Sequence, residues 1–154
     1  MKRTKIIAAV CTVLVIVLLV CILPFPQRIN KTYSGVKWYN SSAVSLNTEL
    51  GINGWYFRYL FRENKFNGSL TYDNRELEVN SLYLFDSAEI PGKAGTIIFY
   101  NPDTNQMEQA GPIYISGSFD EVLICDDSGF ISFPANNRDD AVDVAIRLTD
   151  NMYT

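Results

Sequence analysis

The pattern of apolar and polar positions divides the chain at Leu23. From Ile6 to Leu23 the sequence IIAAVCTVLVIVLLVCIL holds no charge, no Gly and no Pro, and Thr12 is its only clearly polar side chain. Such a run has no polar face to turn toward water. At 1.5 Å per residue it makes a helix of about 27 Å, close to the hydrocarbon thickness of a bilayer. Lys2, Arg3 and Lys5 precede it, and Pro24 and Pro26 end it. The pattern predicts a transmembrane anchor over 6–23, with a basic cytoplasmic end over 1–5 and the remainder outside. Cleavage of a secretory signal is the alternative, giving a secreted domain. The segment Val20-Cys21-Ile22-Leu23-Pro24-Phe25-Pro26 lacks the small residues that cleavage needs, and Val20 and Val10 are poor neighbours for a lipidated Cys21 or Cys11.

Beyond the anchor, residues 24–32 read as a polar tether and 33–154 as one extracytoplasmic β-rich domain. Short runs of Tyr, Phe, Ile, Val and Thr alternate with turn residues. The runs are Tyr33–Tyr39, Ala43–Leu50, Trp55–Arg62, Ser69–Tyr72, Arg75–Val79, Asn80–Phe85, Thr96–Asn101, Met107–Ser116, Phe119–Cys125 and Phe130–Phe133. Gly51-Ile52-Asn53-Gly54, Asp73-Asn74, Pro102–Asn105 and Asp126–Gly129 read as turns, and Ala88–Gly95 as a connection. Period-2 geometry on Trp55–Arg62 assigns Trp55, Phe57, Tyr59 and Phe61 to the core and Tyr56, Arg58, Leu60 and Arg62 to the solvated face. Thr96–Asn101 is apolar on both faces and reads as a central strand. Asn137 caps a final helix, Arg138 to about Thr149, with Asp139 and Asp140 in its first turn. Val142, Ala145, Ile146 and Thr149, widened by Val144 and Leu148, give it an apolar side. The fold class expected is mainly β (α+β): an N-terminal transmembrane helix, then an antiparallel sandwich or partly open barrel with one helix packed on it.

Charge sharpens this picture. Residues 1–28 carry four basic groups and no acidic one, whereas residues 29–154 carry nine basic and seventeen acidic, a net of −8. An acidic domain argues against nucleic acid as a partner and predicts repulsion from anionic headgroups, leaving membrane contact to the anchor. The chain has no histidine, and Cys125 is the only cysteine beyond the anchor. An intradomain disulfide, a Cys/His zinc site and His-dependent nucleophilic catalysis are therefore excluded, and no phosphate-binding glycine loop supports a nucleotide cofactor. Cys125 sits in the apolar run Val122–Cys125 and reads as a small buried hydrophobe.

Leu23-Pro24-Phe25-Pro26-Gln27-Arg28, Lys31-Thr32-Tyr33-Ser34-Gly35-Val36 and Phe66-Asn67-Gly68-Ser69-Leu70-Thr71-Tyr72-Asp73 resemble small, N-terminally anchored, extracytoplasmic proteins of Firmicutes-type bacteria. The resemblance implies location and architecture and brings no catalytic residues. The sequons Asn30-Lys31-Thr32, Asn40-Ser41-Ser42 and Asn67-Gly68-Ser69 would go unmodified in such a host.

Candidate chemistry is sparse. The adjacent pairs Asp120/Glu121, Asp126/Asp127 and Asp139/Asp140 are the raw material for an envelope hydrolase, but neighbours on a strand point to opposite faces and the other pairs fall in a turn and a helix start. Asp103, Asn105 and Glu108 lack the order of a calcium loop. The best binding set is Trp38, Tyr56, Arg58 and Arg62, because aromatic faces stack on sugar rings and guanidinium groups hold anions. The reading is a non-enzymatic binding or accessory module of the cell envelope, partnered by the bilayer through 6–23 and by an envelope protein or a cell-wall glycan. No metal or cofactor is expected.

Overall fold

In the strand Arg75–Asp86, Leu77, Val79, Leu82 and Leu84 are buried and the residues between them are exposed. Such alternation makes a sheet with one apolar face, which must close on itself or find a partner. Here it closes. The computed structural model describes residues 10–15, 21–39, 42–72, 75–87, 90–101, 104–126 and 129–150. Eight strands run β1 (Phe25–Tyr39), β2 (Ser42–Arg58), β3 (Asn64–Tyr72), β4 (Arg75–Asp86), β5 (Lys93–Asn101), β6 (Gln106–Ser116), β7 (Glu121–Asp126) and β8 (Gly129–Phe133). Each is antiparallel to the next, and β8 returns to β1 to complete a barrel. The two-sheet sandwich considered from sequence is thereby replaced by a closed barrel, and the expected helix, Arg138–Thr149, is present.

Of the expected anchor, Val10–Val15 and Cys21–Ile22 are helical, and the remainder of 6–23 apart from Leu23 lies outside the described residues. Among the described residues no helix is long and apolar enough to cross a membrane.

Several strands are longer than the pattern suggested: β3 begins at Asn64 and takes in most of Glu63–Gly68, expected as a loop, β4 joins the expected Arg75–Val79 and Asn80–Phe85, and β5 begins at Lys93. β1 starts at Phe25, and residues 25–32, expected to form a tether, pair with Arg58–Gly51 of β2. Pro26 is tolerated because, among the described residues, β8 pairs with β1 only at Val36, Lys37 and Trp38, so this stretch has β2 as its single strand partner. Gly51–Gly54, expected as a turn, continues β2. Gly54 lies opposite Gly68 of β3, and a Cβ on Gly54 would stand 2.7 Å from the Gly68 Cα. The two glycines let the strands approach there. The Asp73-Asn74, Pro102-Asp103 and Asp127-Ser128 turn centres and Asp103 of the calcium set lie outside the described residues. In β5, Ile97 faces inward while Ile98 and Tyr100 are exposed, so this strand has one buried face and not two.

The interior is filled by apolar side chains from all eight strands, among them Ile29, Ile52, Leu70, Leu82, Ile97, Ile113, Ile124 and Ile131. Eight strands enclose a space just wide enough for such filling. A second apolar layer lies outside the wall, where Val36, Trp38, Leu123 and Cys125 meet Ala141, Val144, Ala145 and Leu148 of the helix. The buried stripe of the helix is displaced from the expected one toward its alanines, and Val142 and Ile146 remain half-buried. Asn137 caps it as expected: its side chain accepts from the Asp140 N–H at 2.9 Å.

The β6–β7 connection, residues 117–120, closes one end of the barrel. Phe119, expected to begin a strand, adopts φ 61°, a left-handed conformation that costs a bulky residue about 1–3 kcal/mol. That geometry drives its ring inward, edge-on to Tyr56 at 5.6 Å and against Phe66 at 5.0 Å. Burial of the ring, about 1.5–3 kcal/mol, offsets the strain. Hydrogen bonds fix the connection to β1: the Tyr33 hydroxyl donates to the Phe119 carbonyl at 2.8 Å, and Lys31 donates to the Ser118 carbonyl at 3.0 Å and to Asp120 at 2.6 Å. Burial opposes the charge on Lys31, but its hydrogen bonds and attraction to Asp120 and Tyr33 outweigh this and raise its pKa. Replacing Phe119 with Ala should destabilise the domain by about 3 kcal/mol, read as a lower urea midpoint with an unchanged slope. An unchanged midpoint would refute the plug.

Candidate binding groove

The outer wall of β1 to β4 holds one aromatic ring at the centre of a polar set. Alternation that sends Ile52, Gly54 and Tyr56 inward sends Asn53 and Trp55 outward. Trp55 is 44% exposed. Across the wall, Arg28 pairs in register with Trp55, Trp55 with Asn67, Asn53 with Ser69, and Ser69 with Glu78. A shallow groove of about 400 Å³ runs over these positions, bordered also by Glu76 and Asn80 and by the backbone at Gly54 and Gly68. Arg28 fixes one side. Its guanidinium carbon lies 5.6 Å from the Trp55 ring centroid, and it donates to Asn53 Oδ1 at 2.8 Å. Asn67, with its amide nitrogen turned toward β4, donates to the Asn80 carbonyl at 2.6 Å and to that of Phe66 at 3.1 Å. A register shift between Phe66 and Gly68 accompanies this, placing an extra residue in β4 so that Val79 and Leu82, three positions apart, both face inward.

The chemistry available is an aromatic face beside amide, hydroxyl, carboxylate and guanidinium groups, all on rigid strands. Glu76 and Glu78 stand two positions apart on the same strand, side by side, so they do not flank a bound bond as a hydrolytic pair does. Of the carboxylate pairs expected from sequence, Asp127 lies outside the described residues and four others have partners. Asp120 binds Lys31, Glu121 binds Arg147 at 2.6 Å, Asp126 binds Lys37 at 3.5 Å, and Asp140 accepts from the Asn136 amide. Glu108 accepts from Asn101 and Thr104. Among the described residues no three acidic or Cys side chains gather as a metal site. A second depression of about 310 Å³, between Ser34, Asn47, Glu49 and Asn136, has no aromatic ring.

The four binding candidates named from sequence are not brought together. Trp38 is 1% exposed, on the outer wall beneath the helix, with its ring stacked on Phe130 at 4.8 Å and its indole N–H donating to Ser132 Oγ. Tyr56 is fully buried inside the barrel. Arg58 ends β2, and Arg62 lies in the following connection with its guanidinium 3.7 Å from the Tyr59 ring centroid. Only these two are exposed at the same end of the barrel. The faces of Trp55–Arg62 are inverted relative to expectation. Tyr56 is core, Trp55 and Phe57 point outward, and the strand stops at Arg58. The signal that finds Trp55 is the parity of Leu50 and Ile52 carried through Gly54, which the reading of Gly51–Gly54 as a turn interrupted.

Comparison of the chain with protein-family models, curated proteins and solved structures found no match.

Tyr56 carries a further consequence. Its hydroxyl has no hydrogen-bond partner among the described residues. Burial pushes its phenol up to about 12, with Arg58 opposing and Asp86 adding to the rise. The unfolded value is about 10, so the stability linked to the neutral phenol is complete below pH 10 and is lost as pH rises toward 12. Tyr56→Phe should leave stability at neutral pH unchanged or raised by up to about 1 kcal/mol. It should also flatten the alkaline limb of a Tm–pH profile, and a loss of more than about 1 kcal/mol at pH 7 would contradict this.

Proposed function

We propose that the protein is a membrane-anchored, non-enzymatic binding module of the bacterial cell envelope, held outside the cytoplasm by residues 6–23, and that the β1–β4 groove takes a hydroxyl-rich, uncharged glycan. The uncharged run Ile6–Leu23 behind Lys2, Arg3 and Lys5 supports the placement. The observation that carries the ligand class is Trp55, an exposed ring beside a backbone floor at Gly54 and Gly68 and bordered by Asn53, Asn67, Ser69 and Glu78. Pyranose rings present an apolar face of C–H groups and a rim of hydroxyls. The first matches an aromatic face, and the second matches fixed amides and carboxylates. The net charge of −8 over residues 29–154 favours an uncharged polymer over an anionic one.

The test is calorimetric titration of the full chain in nanodiscs with neutral and N-acetylated hexose oligomers, a readout that is kept when Trp55 is replaced. Binding of one oligomer class is expected, with Trp55→Ala weakening it at least about tenfold, the worth of one buried aromatic contact. Ser69→Ala should weaken it less. Binding that survives Trp55→Ala intact, or no response to any oligomer at millimolar concentration, refutes the glycan reading.

A further inference from the structure

The end of the barrel nearest the anchor differs from the rest of the domain in both charge and hydrophobicity. Phe25 pairs with Arg58, so the start of β1 and the connection Tyr59–Glu63 share one rim. Phe61 is 79% exposed and Leu60 55%, and Phe25 is half exposed. Just below, Tyr83 and Phe85 of β4 are also half exposed on the outer wall, with Lys65 over the Tyr83 ring at 5.7 Å. Residues 25–28 and 58–65 carry Arg28, Arg58, Arg62 and Lys65 against one acid, Glu63, within a domain of net charge −8. Exposed aromatic and Leu side chains interspersed with Arg and Lys form the composition of a membrane-interface surface.

We infer that this rim rests on the bilayer, with Phe61 and Leu60 entering the headgroup region and Arg58, Arg62 and Lys65 meeting anionic lipid phosphates. The inference rests on the anchoring reading. The occupant is argued from continuity: the apolar run ends at Leu23, two residues before the rim begins at Phe25, so the surface next to the anchor is the one that meets lipid. The expectation that an acidic domain avoids anionic headgroups is thereby replaced for this face. The acids at this end, Asp86 and Asp120, are paired with Lys93 and Lys31, which leaves Arg58, Arg62 and Lys65 to give the rim a positive excess over Glu63.

Full-length protein carrying Phe61→Trp in a Trp55→Phe background is reconstituted into anionic vesicles containing lipids brominated near the top of the acyl chain. A matched protein carries Leu46→Trp, an exposed site at the β1–β2 end. Insertion of the ring about 5–10 Å below the headgroups should cut the emission contributed at position 61 to about half, with little loss at position 46. Neutral vesicles should reduce the effect. Equal quenching at both positions in protein that floats with the vesicles overturns the rim inference and leaves the anchor standing. Protein that does not float with the vesicles overturns both. Concentration-dependent crosslinking between copies at position 61, without quenching, assigns the rim to self-association and also overturns the inference.

Discussion

Closure of the sheet governs this molecule, and it depends on a short seam. A sheet of eight antiparallel strands would leave two unpaired edges, and pairing the first strand with the last removes both. Among the described residues three register pairs do this: Val36 with Ser132, Lys37 with Ile131, and Trp38 with Phe130. The rest of the structure compensates for the brevity of that contact. The helix covers the seam on the outside, bringing Ala141, Val144 and Leu148 over Val36 and Trp38. Where β1 runs beyond β8, Lys31 and Tyr33 bind the 117–120 connection in place of a strand. Ala135 adds a backbone bond to the Ser34 carbonyl at 3.1 Å. The terminal helix is part of the closure, and its twelve residues would be marginal alone.

The same constraint decides which polar groups are available for binding. Interior positions are filled, and mostly apolar apart from the Lys37–Asp126 pair, so recognition falls to the outer wall. Under the helix that wall is apolar and covered; around Arg28, Asn53, Asn67, Ser69 and Glu78 it is bare and polar. Trp38 and Trp55 both project outward from neighbouring strands, yet one is shielded and the other open. The difference is set by where the helix lies along the wall. Cys125 follows the same logic: it projects outward, and the helix buries it.

Local chemistry was readable in the sequence where one residue decides the outcome. Asn137 fixed the helix start, and in the last hairpin the strands reach Asp126 and Gly129, one residue further on each side than expected. Parity and extent were harder to read because they depend on long-range pairing. Gly51 and Gly54 carry turn chemistry, yet both continue β2, and Gly54 serves the close approach to β3 that Gly68 completes. That partner lies fourteen residues beyond Gly54. Misplacing the turn inverted the faces of Trp55–Arg62 and moved attention from Trp55 to Tyr56. Phe119 was equally opaque: an aromatic before Val122–Cys125 reads as strand, and only the barrel interior explains its left-handed backbone. The alternation that argued for a sheet was sound, but it does not by itself distinguish a sandwich from a barrel.

The start of β1 at Phe25 leaves almost no slack between the apolar run and the fold. Helical geometry persists to Ile22, and strand pairing begins three residues later. A domain on a flexible stalk sweeps a hemisphere and meets partners at any height. This one, anchored as proposed, would be leashed at one altitude. Arg28 and Trp55 lie only three positions along their strands from the Phe25–Arg58 pair, about 10 Å at strand rise. The groove would then scan a thin slab of periplasm-like space beside the lipid. On that proposal a polymer strand would have to graze the membrane surface to be caught, and lateral diffusion of the protein would replace the reach that a stalk supplies.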